Sequence, residues 1–193
     1  MRLFIAIEIP AEIKREISNV QERLRGAGAD ASWTKPDGIH LTMKFLGEVP
    51  EAKVPDIMQG LRQAAQSEGP LRLEMKGIGA FPNTKNARIV WIGLAGNIEQ
   101  LMRLQGAIED AMAGLGMPRE ERIFTPHLTL GRIRNIRSRS AWLAAFEKLK
   151  DIGLPGFDAA VLSLMKSELK PSGAEYTALG RVEFIQNITD SSS

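Results

Sequence analysis

An alternating α and β chain made of two similar β-α-β-α-β halves is what this sequence predicts, and three observations predict it. The two histidines of the chain each open the same tripeptide, His40-Leu41-Thr42 and His127-Leu128-Thr129. The tripeptides lie 87 residues apart, and at that offset Phe4-Ile5-Ala6-Ile7 aligns with Trp91-Ile92-Gly93-Leu94. Apolar residues at helical spacing follow each of these four segments. The pattern reads as an internal duplication within one domain over 1–193, with approximate halves 1–86 and 87–186. Packing about a pseudo-two-fold axis would bring the two histidine strands face to face across a cleft.

Each element has its own signal. Phe4 to Ile7 is a short apolar strand, and Ile13, Ile17, Val20 and Leu24 then recur with the period of a helix. Ile39 to Leu46 forms the first histidine strand, followed by a helix carrying Val54, Ile57, Met58, Leu61 and Ala65. Leu71 to Ile78 closes the first half, and Pro82-Asn83-Thr84-Lys85-Asn86 has the composition of a surface loop. The second half opens on Trp91 to Leu94. Its helix carries Ile98, Leu101, Met102, Ile108, Met112 and Leu115, and Asn97 with Gln100 three residues on predicts a capping box. Phe124 to Ile133 is the second histidine strand, and a Ser140 cap introduces a helix with Leu143, Phe146 and Leu149. After the loop from Gly153 to Gly156, Phe157 to Met165 matches the strand that closes the first half. Tyr176 to Phe184 adds one strand more, and 187–193, ending Ser191-Ser192-Ser193, is expected to be a frayed tail.

Composition removes several function classes. There are no cysteines, so disulfides, thiolate metal sites and cysteine nucleophiles are absent. A formal charge of +2 is too small to argue by itself for non-specific nucleic-acid binding. The apolar start is short and interrupted by Glu8, which reads as a strand rather than a signal peptide, and no run reaches membrane-spanning length. The expectation is a soluble, cytoplasmic protein, a monomer by default.

The residue types in the repeated tripeptide point to acid–base chemistry. Side chains two apart on a strand share a face, so each strand presents an imidazole beside a hydroxyl, with Leu41 or Leu128 turned to the core. Histidine, with an unperturbed pKa of roughly 6.5, acts as base or acid near neutrality. Two of them flanking a phosphorus suit an in-line displacement, one taking a proton from water and the other giving one to the departing oxygen. Thr42 and Thr129 supply donors for phosphoryl oxygens. Two histidines without an Asp or Glu pattern make an incomplete zinc site, so no metal is expected. Arg132 and Phe45 each stand five residues after a histidine, an odd offset that puts both on the wrong face of an ideal strand. Gly131 and Gly47 suggest bulges that reset the alternation. Arg132 would then reach a phosphate or a base, and Phe45 would offer a ring face, unless it is ordinary core packing. By parity Lys44 falls on the His40 and Thr42 face, at the cleft rim. The run Arg132, Arg134, Arg137 and Arg139 has the plainer reading of a solvated strand end.

With these residues in view, the chain resembles a known family. The paired His-x-Thr motifs, His-Leu-Thr-Met-Lys-Phe-Leu-Gly from His40 and Thr-Pro-His-Leu-Thr-Leu-Gly-Arg from Thr125, look like the two-histidine phosphoesterase superfamily. Within it they are similar to RNA 2',3'-cyclic phosphodiesterases of the 2'-5' RNA ligase family. The likeness runs over nearly the whole chain, including Gly79-Ala80-Phe81-Pro82 and the Ser167, Gly173, Tyr176 spacing; Met43 and Gly131 are small departures. The resemblance implies an α+β bilobal fold, with antiparallel-rich sheets lining a central cleft and helices outside. It implies hydrolysis of RNA 3' ends bearing a 2',3'-cyclic phosphate to 2'-phosphomonoesters, without cofactor. By that analogy His40 protonates the leaving 3' oxygen and His127 activates water. Thr42 and Thr129 then hold the phosphoryl oxygens, and Phe45 and Arg132 flank the terminal base. Pseudo-symmetry leaves the acid and base assignment open. Three alternatives remain: ATP-independent 2'-5' end joining at the same site, a non-catalytic RNA-end binder, and a different cyclic phosphate substrate.

Overall fold

Residues 1–171 and 173–184 are described by the computed structural model. In chain order the elements are β1 (Arg2–Glu8), α1 (Ala11–Gly26), β2 (Ala29–Trp33), β3 (His40–Glu48), α2 (Val54–Ser67) and β4 (Leu71–Phe81). The second half continues with β5 (Ile89–Gly96), α3 (Ile98–Gly114), β6 (His127–Ile136), α4 (Arg139–Leu149), β7 (Phe157–Ala159), β8 (Val161–Lys170) and β9 (Gly173–Glu183). The expected tail, 187–193, lies outside the described residues. No helix among the described residues is long and apolar enough to cross a membrane.

Two antiparallel sheets carry the strands, in the orders β3-β1-β8-β9 and β2-β6-β5-β4-β7. The chain exchanges strands between them. β4 leaves the first half to pair with β5, and β8 leaves the second to pair with β1. The trio β3-β1-β8 therefore matches β6-β5-β4, which is how a duplicated unit pairs about a pseudo-two-fold axis. The sheets approach each other through β3 and β6, whose Cα atoms come within 8 Å without forming a ladder.

One face of each sheet is spent on the core. Leu3, Ile5, Ile7 and Leu41 from one sheet and Val90, Ile92, Leu128 and Leu130 from the other join a single cluster with the helix stripes, including Ile13, Ile17, Leu61, Leu101 and Ile108. Fully burying each such side chain contributes about 1.5–3 kcal/mol, so both sheets are anchored by the face turned away from the histidines. Trp142 of α4 is fully buried as well, and its indole N–H donates to the Thr84 carbonyl at 3.0 Å.

Several details depart from the sequence expectation. Ala29–Trp33 alternates apolar and polar residues but is built mainly of weak strand formers, Ala, Asp and Ser; it docks as edge strand β2 on β6, its backbone partners supplying what its side chains do not. Phe157 to Met165 is two strands, β7 and β8, divided between the two sheets. Asn97 makes no side-chain cap; its Oδ1 accepts from the Arg72 backbone N–H at 2.8 Å, and Gln100 Nε2 donates to Gly69 O. Helix α4 is capped by Ser138, whose Oγ accepts from Ala141 N–H, rather than by Ser140. On α3, Met102 lies at the surface and Leu104 takes its place in the buried stripe.

Candidate active site

Irregular register decides which side chains share a face with the histidines. On β1, Phe4, Ala6 and Glu8 alternate onto one face, and their partners on β3 are Phe45, Thr42 and His40. Met43 and Leu46 have no partner on β1, so the strand carries an extra residue at each point. The bulge at Met43 turns Phe45 onto the His40 face, where it is 67% exposed. The reset that matters here is at Met43, ahead of Phe45, and not at Gly47.

β6 repeats the device. Gly93, Trp91 and Ile89 of β5 face the same way, opposite His127, Thr129 and Arg132, and Leu130 is the unpartnered residue between. Leu128 and Leu130 are both fully buried, while Arg132 is exposed. The structure thus gathers His40, Thr42 and Phe45 on one sheet face and His127, Thr129 and Arg132 on the other.

Lys44 is a correction. The same bulge that delivers Phe45 pairs Lys44 with Ile5, on the core side. Lys44 Nζ is buried, donating to Glu109 Oε2 at 2.7 Å and to Pro118 O at 2.9 Å. It does not line the cleft rim.

The two imidazoles sit in different surroundings. His127 Nδ1 lies 2.7 Å from Thr125 O. A carbonyl only accepts, so Nδ1 carries the proton and the neutral ring keeps its lone pair on Nε2. His40 Nδ1 is buried without a hydrogen-bond partner. Phe4 packs on the His40 ring at 4.6 Å between centroids, and Tyr176 meets it edge-on at 5.1 Å. Burial among these rings, with a smaller contribution from the Lys14 charge, lowers the His40 pKa from 6.5 to about 4.

That shift has a measurable consequence. With only two histidines in the chain, the ring carbon NMR resonances of His40 are readily assigned, and its titration is expected near 4. The folded pKa lies below the unfolded one, so the unfolded chain binds the extra proton between pH 6.5 and 4. His40 therefore lowers stability progressively as pH falls through that window and is neutral to stability above it. Comparing melts of the wild type and His40→Phe across about pH 4–7 isolates this part. An equal pH dependence of both proteins would show that His40 titrates normally.

Sequence reasoning named only part of this surface. Phe81 meets His127 edge-on at 5.5 Å, and Trp91 lies 6.1 Å from the same ring. Trp91 needs Gly79 beneath it, since a Cβ there would come within 2.1 Å of the indole. The signal was available in the 87-residue offset, which places Phe4 and Trp91 at matching positions beside the two imidazoles. Among the described residues, no three His, Asp or Glu side chains gather as a metal-binding group.

The family model of LigT-like phosphoesterases matches twice, over residues 7–91 and 92–176. The RNA 2',3'-cyclic phosphodiesterase of Methanocaldococcus jannaschii is 37% identical, the match covering 93% of this chain and 98% of the relative. The protein of the same name from Methanothermobacter thermautotrophicus is 31% identical over 92% of this chain and 95% of its own. A crystal structure of a Thermus thermophilus protein superimposes with a TM-score of 0.79 at 26% identity, covering 95% of this chain and 98% of that one.

Proposed function

Because the chain belongs to the LigT-like phosphoesterase family, we propose that it hydrolyses 2',3'-cyclic phosphate ends of RNA to 2'-phosphomonoesters, using His40 and His127 and no metal. The observation that carries the reading is the pair of imidazoles in unlike surroundings, His127 with Nδ1 bonded to the Thr125 carbonyl and His40 with Nδ1 buried and unpartnered, each next to a threonine on its own sheet face. The relatives bearing the name RNA 2',3'-cyclic phosphodiesterase support the substrate class.

The tautomers support a division of labour. His127 offers a bare Nε2, the form a general base needs to accept a proton from water. For His40, a proton on Nδ1 would be a buried donor without an acceptor, so the neutral ring carries its proton on Nε2. That nitrogen faces substrate as a donor. A cyclic phosphate monoanion entering the cleft raises the affinity of His40 for a second proton, reversing the effect of its burial. Water then attacks phosphorus as His127 takes its proton. The bond from phosphorus to the ribose 3' oxygen breaks, and His40 delivers a proton to that oxygen. Thr42 and Thr129 donate to the non-bridging oxygens, where charge accumulates. Phe45 and Arg132 flank the terminal base, one by ring stacking and the other by its planar guanidinium.

A short RNA ending in a 2',3'-cyclic phosphate, incubated with the protein in EDTA, tests this directly. The expected product resists a 3'-specific phosphatase, as a 2'-phosphate does. A 3'-phosphate product would reverse the leaving group, and dependence on added divalent cation would overturn the metal-free mechanism.

A further inference from the structure

The sheet that carries His40 holds a second cluster of charge that the proposed chemistry leaves unused. Glu8 is the register partner of His40 on the next strand and shares its face. Its Oε1 accepts from Ser163 Oγ at 2.6 Å and from Arg181 Nε at 2.7 Å, and its Oε2 accepts from Arg181 Nη2 at 3.4 Å. Burial alone would raise the Glu8 carboxyl. The hydrogen bonds from Arg181 and Ser163, with the charges of Arg181 and Lys14, overcome burial and hold it below its ordinary value. Lys14 stands in the first turn of α1, its N–H bonded to Pro10 O, a short link beyond Glu8. Arg181 is paired directly with the carboxylate, and the Lys14 charge acts on it from farther off, so the cluster keeps a net positive charge.

Arg181 belongs to β9, at the opposite edge of the sheet from β3. Its side chain reaches back over β8 to Glu8, while remaining 60% exposed. Strands are spaced about 4.8 Å apart, which puts the guanidinium one to two spacings, roughly 5–10 Å, from the His40 strand. A carboxylate on a surface that meets phosphate is repulsive unless it fixes something useful. Here it fixes a long cation that would otherwise sample many rotamers. A 2',3'-cyclic end continues only through its 5' oxygen, so the next phosphate lies to one side of the reacting one, about a nucleotide away.

We propose that Arg181 and Lys14, with Arg181 clamped by Glu8, form a shelf that binds the internucleotide phosphate immediately 5' of the cyclic phosphate. The proposal rests on the phosphodiesterase reading and extends it: the preferred substrate is an oligonucleotide end rather than a mononucleoside cyclic phosphate.

The test is the ratio of kcat/KM for a trinucleotide 2',3'-cyclic phosphate to that for the mononucleoside form. Arg181→Ala and Lys14→Ala each lower this ratio about tenfold, the loss of one charged hydrogen bond. Each also flattens the salt dependence of trinucleotide turnover by about 0.7 in log–log slope. Arg62→Ala, an exposed charge on α2, controls for loss of general positive charge and leaves the ratio as it was. A ratio unchanged in both shelf variants, or lowered as much by Arg62→Ala, overturns the shelf. Anisotropy of a 5'-labelled trinucleotide ending in a 2'-phosphate gives a second readout that needs no turnover. Weaker binding by Arg181→Ala in a protein inactive on every cyclic phosphate keeps the shelf and refutes the phosphodiesterase reading. Equal binding with intact turnover refutes the shelf alone.

Discussion

His127→Ala is expected to lower kcat/KM on an RNA 2',3'-cyclic phosphate by about 10²–10⁴-fold, the usual contribution of a positioned general base. His40→Ala is expected to cost a similar factor by removing the proposed general acid. Neither change should disturb the fold much, because both side chains lie on the half-exposed face and the leucines beside them hold the strands. The double variant should be little worse than the worse single one, since two groups serving one concerted step act as a unit. The roles separate with a p-nitrophenyl phosphodiester, whose leaving oxygen needs no proton. On that substrate the loss from His40→Ala shrinks while the loss from His127→Ala persists. The opposite pattern would exchange acid and base, against the tautomer that Thr125 O imposes on His127. Full activity in either single variant would remove that histidine from the mechanism.

How much of this was legible in the chain depends on the range of the interaction involved. The duplication, the helix stripes and the two histidine strands follow from periodicities of about 3.6 and 2, which are local properties. The strand exchange that puts β4 beside β5 and β8 beside β1 leaves no local trace. It follows from which apolar faces meet in the shared core. Strand β2 is held by the edge of β6, so Ala29–Trp33 needs little strand preference of its own. Asn97 and Gln100 spell a cap in one dimension, but β4 and the residues before it lie close enough to take both side chains. Bulges are the informative case. Glycine hinted that alternation breaks near Arg132 and Phe45, and both do reach the histidine face. Period-2 counting cannot say at which residue the break falls. Placing it at Met43 rather than Gly47 is what moves Lys44 from the cleft to the core.

That displaced lysine carries the largest expected stability effect. Lys44→Met leaves Glu109 buried without its countercharge, and removing one partner of a buried pair typically costs about 3–5 kcal/mol. The exposures support the high end: the Lys44 and Glu109 side chains are 3% and 9% accessible. Glu109 Oε2 also accepts from the Glu120 N–H, and its Oε1 from Gln105 Nε2. For a chain of this size such a loss lowers Tm by roughly 10 °C. Lys44→Met with Glu109→Leu should recover most of the loss, because two well-packed apolar groups need no countercharge. The Pro118 carbonyl, the Glu120 N–H and the Gln105 side-chain amide then lack their former partners. The pair also ties the His40 strand to the segment that runs from Pro118 into His127. Below its melting temperature Lys44→Met is therefore expected to lose kcat as well as stability, since a loosened segment misplaces Thr125 O and the imidazole it orients. A Tm within about 2 °C of wild type for the single variant would mean that water reaches Glu109 and that the link between the two strands lies elsewhere.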